Sequence, residues 1–211
     1  MEIHNVLLPA TVLAAGEEFV NRATQNARYR AAVCDLFGLR FHRVGGNGNC
    51  FFTSVCIALK ATLGADNVAE HLATVENLRA SLNLFLRQCV TNGDELSERI
   101  LVDMTSELNF PLHCSTRAEI QGVRIHNYQP SSLETYLEAT AADGVWVCGY
   151  HWLRAVSAVA SVRVAVVIYG HDSVIYFGSG DTTIYLYKVF MLCNVRLIDV
   201  RCAMCDVRLY D

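Results

Sequence analysis

Two periodicities divide this chain, and the point where one gives way to the other most constrains its fold. Through residue 160, apolar side chains recur at three- and four-residue steps, the spacing of one helix face. Beyond it come VRVAVVIY, SVIYFGS, TTIYLYKVFML and NVRLIDV, short runs rich in β-branched and aromatic residues, broken by Gly170, Gly178 and Gly180. Helices first and strands last, with no internal repeat and no linker, predict an α+β fold: helices packed on a small, mostly antiparallel, C-terminal sheet. The 211 residues suit one domain spanning 1–211, because domains commonly run to ~100–200 residues.

The helical part resolves into segments. GEEFVNRATQNARYRAAVCDLFGL sets Phe19, Val20, Ala23, Ala27, Ala31 and Leu36 at helical spacing and stops at Gly38. Cys50 to Lys60 runs without a breaker, so Cys50 is expected to open a helix. From Asp66 to Val90, Val68, Leu72, Val75, Leu82 and Leu86 predict one long amphipathic helix. Gly93 to Leu108 repeats the pattern. After Pro130, Ser131 or Ser132 is placed to cap a helix with Glu134 nearby, ending before Gly144. Another helix is expected over Gly149 to Ala160.

Composition excludes several classes of function. A net charge of −4 without a basic cluster argues against nucleic acid as a partner. No run reaches the ~18 apolar residues of a membrane span, and the apolar stretch in MEIHNVLLPATVLAAGEEF has no basic residue before it, so neither a membrane partner nor a secretory signal is expected. The nine cysteines are odd in number and scattered, several within apolar runs such as SVCIAL and FMLCNV. That suits buried thiols in a reducing, cytoplasmic compartment rather than a disulfide framework. Cys202 and Cys205 lack a second pair at zinc spacing, so no metal and no cofactor is expected.

The seam at GNGNCFFTSVCIAL, Gly46 to Leu59, carries the most chemistry. A thiol at a helix start sits where unpaired backbone N–H groups and the helix dipole favour thiolate. The same N–H groups can hold the oxyanion formed when that thiolate attacks a carbonyl. Equally, the stretch reads as a tight turn into a helix whose cysteine merely packs.

GNGNCFFTSVCIAL resembles the signature of the ovarian-tumour (OTU) family of cysteine deubiquitinases, with Asn47, Gly48, Asn49, Cys50, Phe51 and Phe52 at the matching positions. SSLETYLEATAADGVWVCGYHWLRAVSAVASVRVAVVIY is similar to that family's helix, Gly-x-Trp loop, helix and hydrophobic strand. TTIYLYKVFMLCNVRLIDV falls where the family places the strand leading into its His-Tyr-Asp stretch. The resemblance runs from about residue 38 to 200. It implies a papain-type core there, with 1–37 either part of that core or a helical N-terminal extension, in a divergent member with a viral origin, and hence a host's cytoplasm, among the expectations. It implies Cys50 as nucleophile, Gly48 and Asn49 as backbone oxyanion donors with Asn47 beside them, and a channel for ubiquitin's tail lined by Trp146 and Gly149. Asp143 would meet the arginines of that tail. The expected partner is ubiquitin or a ubiquitin-like protein, bound by a monomer.

Two departures bear on this. The family's Asp stands here as Asn47, which still forms hydrogen bonds. The family's catalytic histidine falls by spacing on Cys193 or Asn194, and neither can take a proton from a thiol near neutral pH. General-base work supplies ~10²–10⁴-fold in rate. His151, two residues past Gly149, is the first substitute; His171 in YGHDSV, with Asp172 beside it, is the second. The alternative is a catalytically impaired OTU-fold module that binds ubiquitin and does no chemistry.

Overall fold

The computed structural model describes residues 4–14, 22–44, 48–112, 119–120, 123–124, 128–147, 149–169, 172–188 and 205–209. In chain order the elements are β1 (His4–Leu7), α1 (Ala10–Ala14), α2 (Arg22–Phe37), β2 (Arg40–Arg43), α3 (Cys50–Leu63), α4 (Glu70–Ala73), α5 (Val75–Thr91) and α6 (Glu95–Glu107). They continue with β3 (Glu119–Ile120), β4 (Val123–Arg124), α7 (Leu133–Ala141), α8 (Tyr150–Ala160), β5 (Arg163–Ile168), β6 (Ser173–Phe177), β7 (Thr183–Lys188) and β8 (Cys205–Leu209). The chain is a mixed α+β protein.

The main sheet has the order β1-β6-β5-β7-β8-β2. All its pairings are antiparallel except β5 with β7, which run parallel. β5 explains why a continuous apolar run was needed. It is buried from Val164 to Ile168, and successive side chains of a strand point to opposite faces. Val164, Val166 and Ile168 join Phe52, Leu59, Leu82 and Trp152 on one side of the sheet. Ala165 and Val167 join Tyr29 and Val33 of α2 on the other. A strand covered on both faces cannot alternate with polar residues. The molecule is therefore three layers: α2, the sheet, and the remaining long helices.

Two expectations about the sheet change. It is not wholly C-terminal, because β1 pairs with β6 and β2 pairs with β8. The segment before residue 38 is not simply an added helix either: β1 is one edge of the sheet and α2 covers a face. The strand expected over NVRLIDV lies outside the described residues, while β8, which the sequence reading passed over as a tail, completes the β7 side.

The helices follow their capping chemistry. The single helix expected over 66–90 is broken into a 3-10 turn at Ala65–Asn67, then α4, then α5. Thr74 is the reason: it is extended (φ −123°, ψ 161°), and its hydroxyl accepts from the Asn77 N–H to start α5 afresh. Leu78, Leu82 and Leu86 of α5 are completely buried, each burial being worth about 1.5–3 kcal/mol. α7 begins at a capping box of Ser132 with Thr135, so the residue answering the cap is Thr135 rather than Glu134. No helix among the described residues is long and apolar enough to cross a membrane.

Candidate active site

Cys50 opens α3, as its sequence context predicts. Asn49 is the N-cap by position, yet its side chain does not cap this helix. The Asn49 amide is engaged elsewhere. Its Nδ2 donates to Asp143 Oδ1 at 2.7 Å, while its Oδ1 accepts from Arg79 Nη2 at 2.6 Å and from the Gly144 N–H at 3.2 Å. The helix start is thus tied to the α7–α8 loop, 94 residues away in sequence.

Gly48 is the hinge of that tie. It holds φ at +79°, and a Cβ there would lie 1.8 Å from the Gly144 carbonyl oxygen. Only a residue without a side chain lets the two backbones meet at this distance. The two stretches that carry the family resemblance, residues 46–59 and 131–169, are brought together at this point.

Arg79 of α5 organises the junction, and sequence reasoning missed it. The side chain is buried at 4% exposure. Its Nη1 donates to the Thr140 carbonyl at 2.7 Å, and Nη2 also reaches the carbonyls of Val145 at 3.1 Å and, at 3.4 Å, Gly48. The guanidinium lies over the Phe52 ring, 4.0 Å from its centre. A buried arginine is rare unless its donors are matched. The available signal was the interruption of a leucine stripe: in VENLRASLNLFLR, Arg79 and Asn83 sit one turn apart beside Leu78, Leu82 and Leu86.

The Cys50 side is closed. Cys50 retains 4% of its surface, against an expected open nucleophile. Cys56, two turns on along α3, is a contrasting thiol: burial pushes its pKa to about 11, and its Sγ contacts the Leu72 carbonyl oxygen at 3.5 Å. It is a packing cysteine.

His151 is brought near the same helix start, through Trp152, whose indole packs edge-on against Phe51 and Phe52. It does not present itself as a base. The residue is wholly buried, Nε2 is hydrogen-bonded to the Tyr136 hydroxyl at 2.8 Å, and Nδ1 has no hydrogen-bond partner. That hydroxyl also accepts from Trp152 Nε1 at 3.1 Å. Burial lowers the imidazole pKa to about 3. An imidazole this weakly basic draws a proton from a thiol poorly.

Three residues expected to line a tail channel, Asp143, Trp146 and Gly149, are described. Gly149, at φ +119°, accommodates the interior: a Cβ there would stand 2.7 Å from His151 Cε1 and 2.8 Å from Glu107 Oε1. Trp146 is half-buried, and its indole Nε1 is turned inward without a partner. Asp143 is exposed and borders a groove of about 340 Å³ along α5, beside Glu76, Asn83, Leu84 and Arg87. Asn47, Asn194, Cys193 and His171 lie outside the described residues. Among the described residues no group of three His, Cys, Asp or Glu side chains is arranged to hold a metal ion.

No protein-family model matches this chain, and no curated protein matches it.

Proposed function

We propose that this chain is an OTU-type cysteine hydrolase that cleaves the bond to the C-terminal glycine of ubiquitin or a ubiquitin-like protein. One observation supports the reading above others: the Asn49 side chain does not cap the helix that begins at Cys50, because it is turned into the junction with Arg79, Asp143 and Gly144. That arrangement keeps the Asn49 oxygen off the backbone N–H groups at the helix start, which in this reading hold the negative charge of the carbonyl attacked by Cys50.

In this reading the Cys50 thiolate attacks the glycine carbonyl carbon. The tetrahedral oxyanion is held by backbone N–H groups of the Gly48–Cys50 turn. The C–N bond breaks, the amine leaves with a proton drawn from solvent, and a thioester remains on Sγ. Water then adds to the thioester carbonyl, giving the free carboxylate and restoring the thiol. With the His151 imidazole held near pKa 3, His151 is not the base in this reading, and the nucleophile is the Cys50 thiolate.

The test is turnover of a fluorogenic substrate carrying ubiquitin's C-terminus. Cys50→Ala is expected to abolish it, together with covalent capture by a ubiquitin probe bearing a thiol-reactive electrophile. His151→Gln is expected to keep kcat/KM within about threefold of wild type, because an imidazole with its pKa lowered to about 3 is not the base in this reading. A loss of ~100-fold or more in that variant would make His151 the base and overturn this account of the nucleophile.

The second reading is a ubiquitin-binding module without chemistry, and the 4% exposure of Cys50 favours it. Binding of ubiquitin without turnover or capture at micromolar protein would select it.

A further inference from the structure

We infer that Arg79 is a positioning residue for the Cys50 reaction: through Asn49 it sets the backbone that would bind the oxyanion. The inference rests on the hydrolase reading for its chemistry, and on four hydrogen bonds for its geometry.

Those bonds converge from one guanidinium on three carbonyls and one side-chain amide. Thr140 and Val145 anchor Arg79 to the α7 end and the loop after it. Gly48 and Asn49 are the two residues immediately before the nucleophile. Arg79 therefore spans the junction between the turn bearing the thiol and the loop facing it. It also decides which way the Asn49 amide points. A guanidinium has only donors, so the atom at 2.6 Å must be the oxygen. The nitrogen is then directed to Asp143, where a carboxylate requires a donor, and the same oxygen takes the Gly144 N–H. With its side chain oriented in this way, Asn49 cannot fold back to cap α3. Had it done so, its oxygen would have occupied the N–H groups that the reaction needs.

Lysine in place of Arg79 keeps the charge but has no planar fork to serve carbonyls on both sides of the junction. Misplacement of a reacting group by about 1 Å can cost ~100-fold in rate. The experiment measures Arg79→Lys and Asn49→Asp in the full chain, by steady-state kinetics on the ubiquitin substrate, and by amide hydrogen exchange. Asn49→Asp retains an oxygen for Arg79 but sets a second carboxylate against Asp143. For both variants we expect kcat to fall about 100-fold with KM within threefold. We expect faster amide exchange confined to residues 48–53 and 140–145. Wild-type kcat in Arg79→Lys, or a loss carried by KM, overturns the inference. So does faster exchange spread through α5 and the sheet, which marks Arg79 as a general core residue. If the wild-type chain shows no turnover, the hydrolase reading fails by itself. The exchange pattern then still decides on Arg79: local loosening supports its hold on the Cys50 turn, and unchanged or global exchange refutes it.

Discussion

Two corners of this molecule meet at the start of α3, and they bury polar groups in opposite ways. At the Arg79 corner, a cation is surrounded by three carbonyls and an amide oxygen within hydrogen-bond reach. At the His151 corner, an imidazole is buried among Tyr136 and Trp152 with a single hydrogen bond, and its Nδ1 has none. The first corner tolerates a full charge because fixed dipoles replace water. The second cannot, and burial suppresses the charge instead. A place beside α3 does not make a base of a histidine. His151 sits next to the right helix and lacks the partner that would stabilise its protonated form.

The sharpest break in this comparison is Gly48→Ala. The added carbon meets backbone, the Gly144 carbonyl, at 1.8 Å, in a conformation with positive φ. Strain and overpacking at such sites each cost about 1–3 kcal/mol. A loss on the order of 4 kcal/mol is expected in urea unfolding, and a wild-type midpoint would mean that the two loops do not touch. Arg79→Met comes next. It removes the donors while keeping much of the bulk, leaving buried acceptors unmatched, and should cost about 3 kcal/mol. If the loss is under 1 kcal/mol, the junction is not held by hydrogen bonds.

The His151 corner responds to pH. Its folded pKa of about 3 lies below the ordinary 6.5, so between those values the unfolded chain binds a proton that the folded chain does not. Stability from this residue is complete above pH 6.5 and falls as pH drops through the window from 6.5 to about 3. The slope approaches about 1.4 kcal/mol per pH unit. His151→Gln should flatten that acid limb relative to wild type. Parallel curves for the two proteins would show that the imidazole titrates normally.

The smallest expected effect is also the one shared by both corners. α7 carries Tyr136, the partner of His151, and the Thr140 carbonyl, an acceptor for Arg79. Ser132→Ala removes its capping box and should cost about 1 kcal/mol. Amide exchange along α7 should quicken without the wholesale loss expected in Gly48→Ala. An unchanged α7 would place the control of both corners elsewhere.

Much of the scaffold was legible locally. α3 starts at Cys50 and α8 follows Gly149 because capping and glycine act within a few residues. β5, β6 and β7 were visible as apolar, β-branched runs. The break at Thr74 was also written in a local cap, but the leucine periodicity running across it masked the signal. β1 and β2 were missed because HNVL and RFHR are four-residue segments of weak pattern, and strands this short gain their stability from the partner they pair with.

What the sequence by itself determined is the α+β class, the thiol at the mouth of a helix, and the glycines able to let backbone approach backbone. These depend on backbone preference and side-chain spacing, which are short-range. The joining of Asn49 to Asp143, the burial of Arg79 between them and the suppression of His151 were decided only by tertiary structure. Each depends on dielectric and on partners from distant segments, and neither quantity exists until the layers close and exclude water.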